Sequence, residues 1–251
     1  MVYLFIFLIG LIFGSFASVV IHRLHTGSSG IFTGRSKCPR CAQWLGIRDL
    51  IPLVSYVINK FRCRFCKEPI AMRYPLLELF MGGIFVLTTF LVGFASVPAL
   101  VFYLLMSFVF VLLAFYDFLF KEVPDQVSIP AFFAFLAYAI GADLFSGWHL
   151  TLGILIPVLF FGFLYFGSGG RWLGGGDIRI GALMGALLGY PMILVGLFFG
   201  YLSGTVFSLG GLALGKLNRR SQVPFAPFLL LGTYTALFWG QDVIDWYFGL
   251  M

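Results

Sequence analysis

The chain has 251 residues, of which 61% are hydrophobic and only 10% charged, with a mean hydropathy of +1.01. A water-soluble domain carries about 25% charged residues, so the composition excludes an ordinary soluble fold. The net charge of +6 does not call for nucleic acid, because no nucleic-acid-binding motif accompanies the basic residues.

A helix that crosses a bilayer needs about 20 apolar residues. Eight runs are read as spans: residues 2–21, 75–93, 98–116, 128–142, 150–167, 178–189, 192–215 and 225–239. The first has neither a basic flank before it nor a small-x-small cleavage site, and is read as a retained helix. The sixth is short, as suits a helix that is tilted or packed inside a bundle. The expected fold is all-α: a polytopic membrane bundle of about eight transmembrane helices.

Basic residues favour the cytoplasmic side of a membrane. Residues 22–74 hold ten of them, Lys121 lies between spans three and four, Arg171 and Arg179 bracket the start of span six, and Lys216, Arg219 and Arg220 precede span eight. Eight alternating spans place all of these on one side, with the N-terminus outside. The opposite loops carry none.

Residues 22–74 form the one sizeable polar segment, too short for a large core. It contains Cys38-Pro39-Arg40-Cys41 and Cys63-Arg64-Phe65-Cys66. Two such pairs about 20 residues apart match a four-thiolate zinc site. One tight turn delivers two sulfurs, and two turns close a tetrahedron. Four thiolates leave no open position, so the metal is expected to be structural. A reducing cytoplasm argues against disulfides.

Two acids interrupt apolar sequence. Asp117 ends the run from Phe108 to Tyr116, and Asp177 follows Gly174-Gly175-Gly176. An ionisable group at membrane depth is costly and points to function. Two carboxyls that meet can activate water for peptide hydrolysis. Glycine permits close backbone approach, so Gly174 and Gly176 are read as a lip along which an extended substrate strand lies. Asp177 also reads as a helix N-cap. A phosphate loop is excluded, because an acid occupies the anion position and no lysine follows. Asp125, after Pro124, is expected to cap the next helix or support the pair. Glu78, three residues after Pro75, suits either the first turn of a helix or a role towards a substrate amine or cofactor. His22, His25 and His149 belong to no recognisable zinc-protease or serine-hydrolase motif.

In order along the chain stand Gly14-Ser15-Phe16, the two cysteine pairs, Ile51-Pro52-Leu53, Arg73-Tyr74-Pro75-Leu76-Leu77-Glu78, Asp117 through Pro124-Asp125, Gly174-Gly175-Gly176-Asp177 and Pro224-Phe225-Ala226-Pro227. This ordered set resembles the type IV prepilin leader peptidases, intramembrane aspartic proteases of the GxGD type. The resemblance implies that Asp117 and Asp177 are catalytic, and that prepilins or pseudopilins are cleaved after a glycine. It also implies N-methylation of the new terminus with S-adenosylmethionine. It places the chain in the bacterial inner membrane, with the active site at the cytoplasmic face. The corresponding domains are residues 1–21 (first helix), 22–74 (cytoplasmic zinc domain) and 75–251 (peptidase core). Three positions depart from the family pattern: Ser18 stands for asparagine, Arg179 for lysine and Val123 for leucine. The residues leave two other readings open. One is a proton- or cation-coupled transporter, and the other is an assembly module that binds partners through the zinc loop.

Overall fold

The computed structural model describes residues 1–27, 34–218 and 221–249. Arg219 and Arg220, two of the basic residues before the eighth expected span, lie outside the described residues. Nine α-helices occur among the described residues: α1 Val2–Thr26, α2 Val54–Ile58, α3 Arg73–Val92, α4 Val97–Phe120, α5 Asp125–Gly141, α6 Gly147–Ser168, α7 Gly175–Leu188, α8 Met192–Ala213 and α9 Ala226–Gly249. No strand forms among them, only the isolated bridges Lys37–Trp44 and Arg62–Pro69.

Each of the eight expected spans is a helix. By length and composition, however, five of them (α1, α3, α4, α6 and α8) qualify to cross a membrane, and α5 is a shorter apolar helix. Most residues of the qualifying helices face outward: only 22% of the most apolar stretch of α6 is buried, with Phe163 and Phe166 exposed. Such faces suit hydrocarbon and not water. The chain is therefore a multi-pass membrane protein.

The chain divides into two compact units, residues 1–108 and 109–251. In the first, α1 packs on α3. Gly10 and Gly14 of α1 lie directly on the α3 backbone. A Cβ at Gly14 would come within 2.6 Å of Glu78 Cα, so only glycine allows this approach, as is common between membrane helices. Thr88 and Ser107 share a buried hydrogen bond of 2.9 Å between α3 and α4. α1 runs past its expected end at residue 21 and stops where Gly27 turns left-handed at φ 62°, a conformation that ends helices.

In the second unit α7 is central, packed by α5, α6, α8 and α9. Its 14 residues span about 21 Å, short of the roughly 30 Å hydrocarbon core. Nine of them are buried, so the helix is enclosed by its neighbours, one of the two arrangements that its length suits. Gly185 meets Gly153 of α6 so closely that a Cβ would lie 2.2 Å from the Gly153 carbonyl oxygen.

Candidate active site

Asp117 sits in the last turn of α4, which continues to Phe120. Asp177 sits in the first turn of α7. Both are buried, with 7% and 8% of their surface exposed. They lie within electrostatic reach of each other. Asp117 Oδ2 accepts a hydrogen bond of 2.9 Å from the Ala226 N–H. Ala226 opens α9, where N–H groups have no partner inside the helix and favour an anion. The Pro224-Phe225-Ala226-Pro227 segment thus cradles the acid with backbone, a contact that no side-chain pattern announces.

Asp177 is not the N-cap, which falls on Gly174. Its carboxylate reaches back to the Gly174 N–H at 3.2 Å, while its own N–H donates to the Gly174 carbonyl at 3.1 Å. The acid therefore closes the helix start and remains buried, within electrostatic reach of Asp117. At Gly176 a Cβ would stand 2.5 Å from Val123 Cγ2. The chain's own loop after α4 fills that space, where a substrate strand had been expected. At Gly174 a Cβ would make only ordinary contacts, 3.7 Å at the nearest.

Asp125 does not cap α5. The N-cap is Pro124, with no side-chain cap bond, and the Asp125 carboxylate instead pairs with Arg179. Arg179 also donates to the Val123 carbonyl at 3.3 Å. One guanidinium thus holds both ends of Val123-Pro124-Asp125 against α7, two residues beyond Asp177. The pair is partly exposed, so its role is geometric more than energetic.

The four cysteines come together in the first unit. One sulfur from each lies within 4.8 Å of all the others, and Cys38 Sγ is 4.0 Å from Cys66 Sγ. Tetrahedral zinc with bonds of about 2.3 Å fits that spacing. The two knuckles repeat one design. Cys38 N–H donates to Gln43 and Ala42 N–H to Cys38, as Cys63 N–H does to Glu68 and Lys67 N–H to Cys63. Ala42 and Lys67 both take positive φ, 56° and 60°. Burial disfavours the Cys38 thiolate, but N–H groups of Cys41 and Arg40 and the adjacent thiols outweigh it and bring Cys38 down to about 7. Burial holds Cys63 above its ordinary value.

Next to the knuckles lies a cavity of about 390 Å³, lined by Ser15, Ser18, His22, Arg35, Tyr56 and Glu78 among others. Glu78 is not in the first turn, because α3 begins at Arg73. It is buried and accepts from the Leu53 N–H at 2.9 Å and from Ser15. Leu53 has positive φ, 58°, so the carboxylate fixes an unusual turn of the loop.

Residues 8–92 match the Bacterial Peptidase A24 N-terminal domain, and residues 103–209 match the Type IV leader peptidase family. A Bacillus subtilis (strain 168) "Prepilin leader peptidase/N-methyltransferase" is 31% identical, covering 96% of both chains. The chain belongs to the type IV leader peptidase family. Its relatives of the same name include one from Klebsiella pneumoniae, 35% identical over 75% of this chain and 86% of the relative. Another, from Aeromonas salmonicida (strain A449), is 29% identical over 96% of this chain and 92% of the relative. No solved structure matches the chain.

Proposed function

We propose that this leader peptidase family member carries out two reactions. It removes the short leader of prepilin-like proteins as an aspartic endopeptidase, and it N-methylates the amine that cleavage exposes. The observation that supports the first activity is that Asp117 and Asp177, two buried carboxyls from separate helices, lie within electrostatic reach of each other. The names of the relatives pair the same two activities. Family membership does not favour the transporter or the assembly module.

Two buried carboxyls that feel each other's charge do not both ionise easily, so the pair holds one proton between them. The ionised member takes a proton from water as the water oxygen bonds to the scissile carbonyl carbon. The protonated member hydrogen-bonds the carbonyl oxygen. As the C–N bond breaks, a proton passes to the departing nitrogen and the pair returns to its starting state. Ala226 and Gly174 fix the two carboxyls through backbone N–H groups, so little reorganisation is needed during reaction.

The residues around the first unit's cavity fit S-adenosylmethionine. The volume suits a small ligand. Glu78 offers a buried carboxylate to a cation, Arg23 and Arg35 offer partners to a carboxylate, and Val19, Leu50 and Tyr56 offer apolar surface. Bound there, this cofactor supplies an electrophilic methyl group. Ser18 also lines the cavity, which locates the family departure at that position. The zinc is structural and holds the loop that forms one wall. The bilayer is the bacterial inner membrane, with the aspartates at the cytoplasmic face, the side that loops rich in basic residues favour.

Mass spectrometry of a prepilin peptide incubated with the purified protein tests both activities. Loss of the leader and a gain of one methyl group are expected. An intact peptide with active relatives run in parallel would remove the proposal.

A further inference from the structure

Among the described residues, one buried side-chain oxygen or nitrogen lacks a hydrogen-bond partner: the hydroxyl of Tyr201. Buried polar groups are nearly always paired, and an exception calls for a cause. This exception is on α8, within electrostatic reach of Asp177. Its ring is clamped on three sides. Phe161 stacks on it at 6.1 Å, Phe160 meets it edge-on at 5.4 Å, and Phe225 does so at 4.8 Å. Phe225 immediately precedes Ala226, the residue that holds Asp117. The same wall thus orients the phenol and the acid.

A desolvated hydroxyl without a partner costs stability. Held beside a reactive pair, it is a donor kept free for something that arrives. We propose that Tyr201 is a third catalytic residue, whose hydroxyl donates a hydrogen bond to the carbonyl oxygen of the scissile peptide and strengthens it as that oxygen becomes an oxyanion. No proton is transferred from the phenol: it stabilises charge while the aspartates move protons. The inference rests on the reading of Asp117 and Asp177 as the catalytic pair.

The test is Tyr201→Phe in the full chain, in lipid nanodiscs, beside Asp177→Asn. Cleavage of a fluorogenic prepilin peptide is measured, with binding of a hydroxyethylene isostere that mimics the tetrahedral state and with thermal melting. Phenylalanine keeps the ring contacts and removes only an unpaired group, so melting should be unchanged or slightly raised. kcat should fall about 100-fold, the size typical of a lost oxyanion donor, with KM within about twofold. Isostere affinity should fall by a similar factor. Tyr201→Phe with full kcat, beside an inactive Asp177→Asn, overturns this inference alone. A fall in kcat that tracks a fall in melting temperature overturns it too, because the hydroxyl would then act through the fold. Full cleavage by Asp177→Asn removes the dyad reading itself.

Discussion

The N–H of Ala226 donates to the Asp117 carboxylate at 2.9 Å across 109 residues of sequence, tying the start of α9 to the end of α4. Proline is accepted at the first position of a helix, so Ala226→Pro deletes this donor at little cost to α9. A hydrogen bond to a charged group contributes about 1.5–3 kcal/mol, equivalent to roughly 10- to 100-fold in rate. Leader cleavage should fall by that factor, with helix content by circular dichroism unchanged. Wild-type turnover in a folded Ala226→Pro protein would show that the contact is incidental.

Asp117→Asn and Asp177→Asn each keep the size of the side chain and remove its acid–base function. Each should lower cleavage by at least about 100- to 10,000-fold, the range for positioned proton transfer. Methylation of a peptide that already lacks its leader should persist in both variants, because the cavity with Glu78 belongs to the other unit. Loss of both activities together would instead mean that one site serves both reactions.

Which parts of this site the sequence disclosed follows from what sequence can encode. Asp117 and Asp177 stand out because an acid inside apolar sequence has few benign explanations. The cysteine pairs stand out because their spacing matches a coordination geometry. The Ala226 contact was invisible, since a backbone N–H carries no side-chain identity. The Arg179–Asp125 pair is hidden by distance along the chain, so the local context of Asp125 offers only a cap or a support for the aspartate pair, and not this partner. Helix ends slipped for a related reason. α9 runs ten residues beyond its apolar stretch, through Gln241 and Asp245, whose side chains bond one turn apart at 2.8 Å.

Glu78 anchors the Leu53 N–H and faces the cavity. Glu78→Gln keeps an acceptor for Leu53 and removes the negative charge. Binding of S-adenosylmethionine, measured by calorimetry, should weaken about tenfold or more, while peptide cleavage stays near wild type. Glu78→Ala should add a stability loss of about 1–3 kcal/mol, because the Leu53 N–H is then left without a partner. Unchanged cofactor binding in Glu78→Gln would move the methylation site elsewhere.

The thiolate cluster predicts one zinc per chain by elemental analysis. Cys41→Ser or Cys66→Ser should lose the metal, since three thiolates and a hydroxyl hold zinc far less well. Metal loss should expose residues 34–72 to protease, because the two knuckles lack a core of their own. A metal-free wild-type protein with a protease-resistant loop would contradict the structural role.

Gly176 and Val123 make the sharpest geometric claim in the second unit. A Cβ at Gly176 would lie 2.5 Å from Val123 Cγ2 and 2.7 Å from Val123 Cβ, well inside van der Waals contact. Gly176→Ala should therefore push the loop held by Arg179 away from α7, at a cost of about 1–3 kcal/mol for overpacking. Cleavage should fall with it, because Asp177 is the next residue. Val123→Gly removes the Cγ methyls and the Cβ together, and so clears both the 2.5 Å and the 2.7 Å contact. In the double variant the two changes should be non-additive by about 1 kcal/mol or more, with cleavage partly restored. Additive losses would mean that Gly176 is needed for something other than room for Val123, and the substrate-strand reading of this glycine would regain its footing.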